Sequence, residues 1–302
     1  MTPTPKLEGV IAAIPTPFND NEDLDLDALR SNLARWNETE LYGYTVLGTT
    51  GEFVALSLEE KTRLLAVART EIPREKVLVA GTGTESSRET LELIKWAGSE
   101  GYDFALVITP SYNRWSFVKD SLVAYYTMIA EESEIPVLVY HIPACTGLTL
   151  APDTVARIAE HPNIAGIKDS SGDVFAIQET RRVCPPEFAV LTGSAKVLFA
   201  SLMSGASGAI LADACCVPGL TVETYHAVRE GRLDDARALQ DRIVPLSNVL
   251  IGRYGIPGVK GLLSAMGYSG GHPRRPLLPI SKDDVAELER SLRLAVGEAS
   301  SS

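Results

Sequence analysis

Eight short, apolar, β-rich runs recur along this chain, and amphipathic helical stretches separate them. The runs are Val10 to Ile14, Tyr44 to Leu47, Val77 to Ala80, Phe104 to Ile108, Val137 to Tyr140, Ile164 to Ile167, Ala189 to Leu191 and Ala209 to Leu211. Between them, segments such as Asp25 to Trp36, Leu58 to Thr70 and Ser86 to Ser99 carry apolar residues at helical spacing. Strict alternation of this kind demands a parallel sheet covered by helices, because consecutive parallel strands need a crossover. Eight units without a break in composition favour a closed (β/α)8 TIM barrel, an α/β fold, over an open doubly wound sheet. After Pro218 the pattern is helical only. The expected organisation is therefore a barrel over residues 1–217, a C-terminal helical subdomain over 218–297 and a disordered tail over 298–302.

Composition narrows the partners. A formal net charge of −11 argues against nucleic acid, whose binding depends on clustered Lys and Arg. No basic segment with a following apolar run opens the chain, and no stretch is long and apolar enough to span a bilayer, so no membrane partner is expected. The four cysteines and four histidines lack disulfide-scaffold or metal-ligand spacing, so the thiols are read as reduced and the protein as cytoplasmic, with no metal. Asp23, Asp25 and Asp27 resemble the start of a calcium loop but lack its glycine and closing glutamate; a helix cap with an acidic first turn explains them better. Gly81-Thr82-Gly83 lacks the third glycine of a dinucleotide fingerprint.

Polar residues gather where the strands end, the face on which barrels build active sites. Lys168 follows Ile164-Ala165-Gly166-Ile167. A lysine buried there would lose its charge readily and become nucleophilic toward a carbonyl; the same position also suits a lysine that reaches solvent or pairs with Asp169. Tyr140 closes the preceding strand, as a proton carrier or as a barrel-lining aromatic. The turn Gly48-Thr49-Thr50-Gly51-Glu52 offers backbone N–H groups and two hydroxyls to an anion such as a carboxylate, or is an ordinary glycine turn.

Together with Thr109-Pro110-Ser111-Tyr112-Asn113, Tyr140-His141-Ile142-Pro143 and Gly166-Ile167-Lys168-Asp169, this turn resembles the dihydrodipicolinate synthase / N-acetylneuraminate lyase family over nearly the whole chain. The resemblance implies a pyruvate-dependent class I aldolase or lyase that needs no cofactor beyond the covalent imine between Lys168 and its 2-oxo acid. It implies that Tyr140 moves protons, that Thr49 and Thr50 hold the pyruvate carboxylate, and that Tyr112 completes a Thr49–Tyr140 relay, often from the neighbouring subunit of a homotetramer. Gly193 and Ile210 match residues bordering the pyruvate pocket. Cys145 stands where dihydrodipicolinate synthases carry an arginine for the second substrate's carboxylate, and a thiol cannot replace a guanidinium.

The second half is more similar to 4-hydroxy-2-oxoglutarate aldolases, through His161-Pro162-Asn163-Ile164, Lys168 to Asp173, Arg253 to Gly258 and Gly267 to Gly271. Those enzymes tend to have Ser-Asn at Thr49-Thr50 and asparagine at Cys145. The activity expected first is thus cleavage of a 4-hydroxy-2-oxo acid to pyruvate. Dihydrodipicolinate synthase and a sugar-acid aldolase or dehydratase are the enzymatic alternatives. A barrel that only binds a 2-oxo acid is the alternative outside catalysis, and it would not need both a nucleophile and its relay.

Overall fold

The computed structural model describes residues 5–297, so the expected tail over 298–302 lies outside the described residues. Eight parallel strands close into a barrel in sequence order: β1 (Gly9–Ala13), β2 (Gly43–Val46), β3 (Val77–Gly81), β4 (Phe104–Ile108), β5 (Val137–His141), β6 (Ile164–Asp169), β7 (Ala189–Thr192) and β8 (Gly208–Leu211). β8 pairs back onto β1 through Ile11 and Ile210, so no sheet edge is left open. This is the barrel expected from the eight repeats.

Strand parity divides the core in two. Ile11, Val79, Leu106, Leu138, Leu191 and Ile210 point inward and fill the barrel. Alternate residues such as Val10, Val46, Leu78, Val107 and Val190 face outward under the helices. Side-chain caps start several of those helices: Asp25 accepts from the Ala28 N–H, and Ser57 and Glu60 form a reciprocal capping box before Leu58–Glu71. Asp25 is thus a cap, as its sequence context indicated.

Two boundaries differ from the expected ones in ways that matter for the site. β6 runs on through Lys168 to Asp169, because Lys168 pairs in register with Tyr140 on β5 and Leu191 on β7. Lys168 is therefore a barrel residue held by strands on both sides. The helix Pro218–Arg229, grouped by sequence with the C-terminal part, packs on β1 and on the helix Leu198–Met203. It covers the seam where the barrel closes. Beyond it, Leu233–Val249, the π-helical turn Leu250–Tyr254 and Gly255–Ala265 lead to Lys282–Val296. Ile243, Leu246, Leu250, Val259 and Leu262 from this region join the same core as the barrel's outer layer.

Candidate active site

Inward parity and register put Tyr140 and Lys168 side by side at the C-terminal end of the barrel, each only 4% exposed. The Lys168 ammonium nitrogen lies 4.4 Å from the centre of the Tyr140 ring. Burial pulls the Lys168 amine down to about 7, against a smaller opposing influence from Cys145. Near neutral pH a large fraction is thus the free amine that carbonyl addition requires. Neither alternative reading of Lys168 survives: it is not solvent-exposed, and Asp169 is committed elsewhere. The Leu150 N–H donates to His141 Nε2, which leaves Nδ1 as the protonated nitrogen facing Asp169 Oδ2 at 3.1 Å. Burial would raise the Asp169 carboxyl, but His141 and Ser171 hold it below its ordinary value.

The Tyr140 hydroxyl and Thr49 Oγ1 are hydrogen-bonded at 3.0 Å. Burial pushes the phenol up to about 12, although Thr49 and Ser170 pull the other way. Tyr140 is therefore protonated at neutral pH and bonded to Thr49. The Thr49–Gly51 turn that presents Thr49 is flanked by two residues with left-handed backbones, Leu47 at φ 61° and Glu52 at φ 54°. Positive φ is uncommon outside glycine and gathers at functional sites. Thr16 Oγ1 donates to the Gly51 carbonyl at 2.7 Å and helps to fix the turn.

Behind the turn, Glu52 forms an ion pair with Lys260, and their side chains are 2% and 1% exposed. Glu52 also accepts from the Arg274 N–H at 2.8 Å, and Lys260 donates to the His272 carbonyl at 2.7 Å. The C-terminal region thereby grips the threonine turn from below. The sequence marked Glu52 only as the end of the threonine turn and Lys260 not at all, since a charged residue beside a turn ordinarily faces water.

These groups open onto a cavity of about 500 Å³ whose wall includes Thr49, Thr50, Tyr140, Lys168, Gly193 and Ile210. Gly193 is required by close approach: a Cβ there would fall 1.9 Å from Ser170 Oγ, and its N–H donates to the Asp169 carbonyl at 2.6 Å. Cys145, in the short helix Pro143–Thr146 after β5, also lines the cavity, its thiol pushed up by burial. Tyr112 is the expected site residue that the fold does not bring in. It is 76% exposed, and its N–H donates to Glu85 Oε1 at 3.1 Å in the β4 loop. Lys196 and Asp213 also line the cavity and escaped the sequence reading, although Lys196 lies just beyond Gly193.

A profile of the Dihydrodipicolinate synthetase family matches residues 6–295. The chain belongs to that family. It is accordingly an enzyme of the lyase class, as expected from its motifs. It is 34% identical over 280 residues to a 4-hydroxy-tetrahydrodipicolinate synthase from an Exiguobacterium species, covering 93% of this chain and 95% of that one. Identity to the synthase of the same name from Methanothrix thermoacetophila is 36% over 283 residues, with 93% and 94% covered. Among solved structures, the chloride-inhibited dihydrodipicolinate synthase of Acinetobacter baumannii complexed with pyruvate superposes with a TM-score of 0.91 at 32% identity, covering 96% of this chain and 99% of that one. A prophage protein of E. coli K12 from the same family, in complex with pyruvate, gives 0.90 at 28% identity, with 96% and 99% covered.

Proposed function

We propose that this chain forms an imine between Lys168 and a 2-oxo acid and uses it to break or make a carbon–carbon bond, with 4-hydroxy-2-oxoglutarate as the first substrate to test. The observation that carries this reading is the pairing of a buried amine, brought down to about 7, with a phenol hydrogen-bonded to Thr49. The pyruvate complexes among its relatives support the choice of 2-oxo acid.

In this mechanism the free Lys168 amine adds to the C2 ketone, and water leaves as the protonated imine forms. Tyr140 and Thr49 pass the protons that these steps release and consume. Loss of the C4 hydroxyl proton breaks the C3–C4 bond. The electron pair flows into the imine, giving the enamine of pyruvate and free glyoxylate. The enamine takes a proton at C3, and water then releases pyruvate and restores the amine. Thr49 and Thr50 hold the C1 carboxylate with hydroxyl and backbone donors. Tyr112, exposed on its own subunit, serves the relay of a second copy in a homotetramer.

The names of the curated relatives favour a second reading, 4-hydroxy-tetrahydrodipicolinate synthase. Cys145 speaks against it, because the thiol cannot give a carboxylate the paired donors of a guanidinium. Borohydride treatment with pyruvate, followed by peptide mapping, tests the shared step. The expected product is one pyruvyl adduct, on Lys168; an unmodified Lys168 would overturn the proposal. Pyruvate release from 4-hydroxy-2-oxoglutarate, set against condensation of pyruvate with aspartate semialdehyde, separates the two readings.

A further inference from the structure

A dicarboxylic substrate brings a second anionic end into the cavity, and the wall carries one lysine besides Lys168. Lys196 sits in the turn Ala195–Val197 just after β7 and lines the same cavity. Its backbone is fixed from outside the barrel. Gln240, on Leu233–Val249, donates through Nε2 to the carbonyls of Ala195 at 2.9 Å and Lys196 at 3.2 Å, and accepts from the Phe199 N–H at 2.7 Å. The side chain, by contrast, is uncommitted: among the described residues its ammonium has no hydrogen-bond or ion-pair partner. Gly252 leaves the space it occupies, since a Cβ there would lie 2.8 Å from Lys196 Nζ.

The acidic residue on the wall, Asp213, forms no ion pair with Lys196. It is 3% exposed. Burial shifts its carboxyl toward the neutral acid, with Ser247 and Lys196 opposing. Lys168 is taken up by imine formation, so Lys196 is the lysine of the wall left to meet a second anionic group.

We propose that Lys196 is the specificity-determining residue of this site, binding the distal carboxylate of a dicarboxylic 2-oxo acid while the threonine turn holds the proximal one. The β7 end that carries Lys196 and the β2 end that carries Thr49 and Thr50 are separated in the barrel by β8 and β1. A five-carbon dicarboxylate bound at Lys168 thus has an anion-binding group for each end. This role takes over the charge that Cys145 does not supply. The inference rests on imine formation at Lys168.

The test compares 2-oxoglutarate with 2-oxopentanoate, which share a five-carbon chain and differ in the terminal carboxylate. Each is titrated against borohydride trapping of pyruvate at Lys168, and the ratio of their protection constants is read in each protein. The native enzyme should prefer 2-oxoglutarate by about ten- to a hundredfold, the worth of one charge-assisted hydrogen bond. Lys196→Met should bring the ratio near one, and Lys196→Arg should keep most of it. Absence of a preference in the native enzyme, or an unchanged preference in Lys196→Met, overturns the subsite while leaving imine chemistry standing. Failure of pyruvate itself to be trapped overturns the imine reading and the subsite with it.

Discussion

Placing a carboxylate at residue 145 should shift the pH at which Lys168 becomes reactive. Burial brings this amine from its ordinary 10.5 to about 7, and the group whose charge opposes that shift is the Cys145 thiol. The thiol is itself raised by burial, so near pH 7 it is uncharged and does little. Cys145→Asp puts a full negative charge in the same place, and a nearby opposite charge raises a lysine by about 1–3 pH units. The midpoint for imine formation should therefore climb from about 7 to roughly 8–10. At pH 7 the free-amine fraction falls from about a half to between roughly a tenth and a thousandth, and the trapping rate with it. Cyanoborohydride trapping of pyruvate, followed by intact-mass measurement from pH 5.5 to 10, reads this directly. Cys145→Asn, neutral and similar in size to the aspartate, controls for shape and should keep the midpoint near that of the native enzyme. A native midpoint above about 9, or the same midpoint in Cys145→Asp, would refute the argument that desolvation sets Lys168 apart.

Two further outcomes concern stability. Between pH 7 and 10.5 the unfolded chain holds a proton on Lys168 that the folded chain does not, so native stability rises with pH across that window and the full cost of burial applies below it. Lys168→Met should consequently be the more stable protein, by up to roughly 5 kcal/mol below pH 7, with the difference vanishing toward pH 10.5; urea unfolding at several pH values measures it. Glu52→Gln should remove about 3–5 kcal/mol by leaving Lys260 buried and unpaired. Thermal denaturation should show that loss, and adding Lys260→Met should recover much of it.

The barrel was legible because its signals are local. Runs such as Phe104 to Ile108 are apolar and β-branched over a few residues, and the helices between them repeat on a 3.6-residue period. The covering helix Pro218–Arg229 was harder to assign, because what makes it part of the barrel is its packing on β1, some two hundred residues earlier in the chain. Lys168 and Tyr140 were legible as strand-end residues with reactive chemistry, and the threonine turn as a glycine-bounded loop. Lys196 was not, because its place in the cavity depends on Gln240 and Gly252, both more than forty residues away.

The sequence by itself thus determined the eight-fold repeat, the face on which polar residues collect, and the strand-end residues that meet there. Only the tertiary structure decided which of those groups are taken out of water. An amine's proton affinity depends on how completely water is excluded and which charges stand nearby, and for Lys168 both are set by β5, β7 and the Cys145 helix closing around it. The same holds for the Glu52–Lys260 pair, which only folding takes out of water.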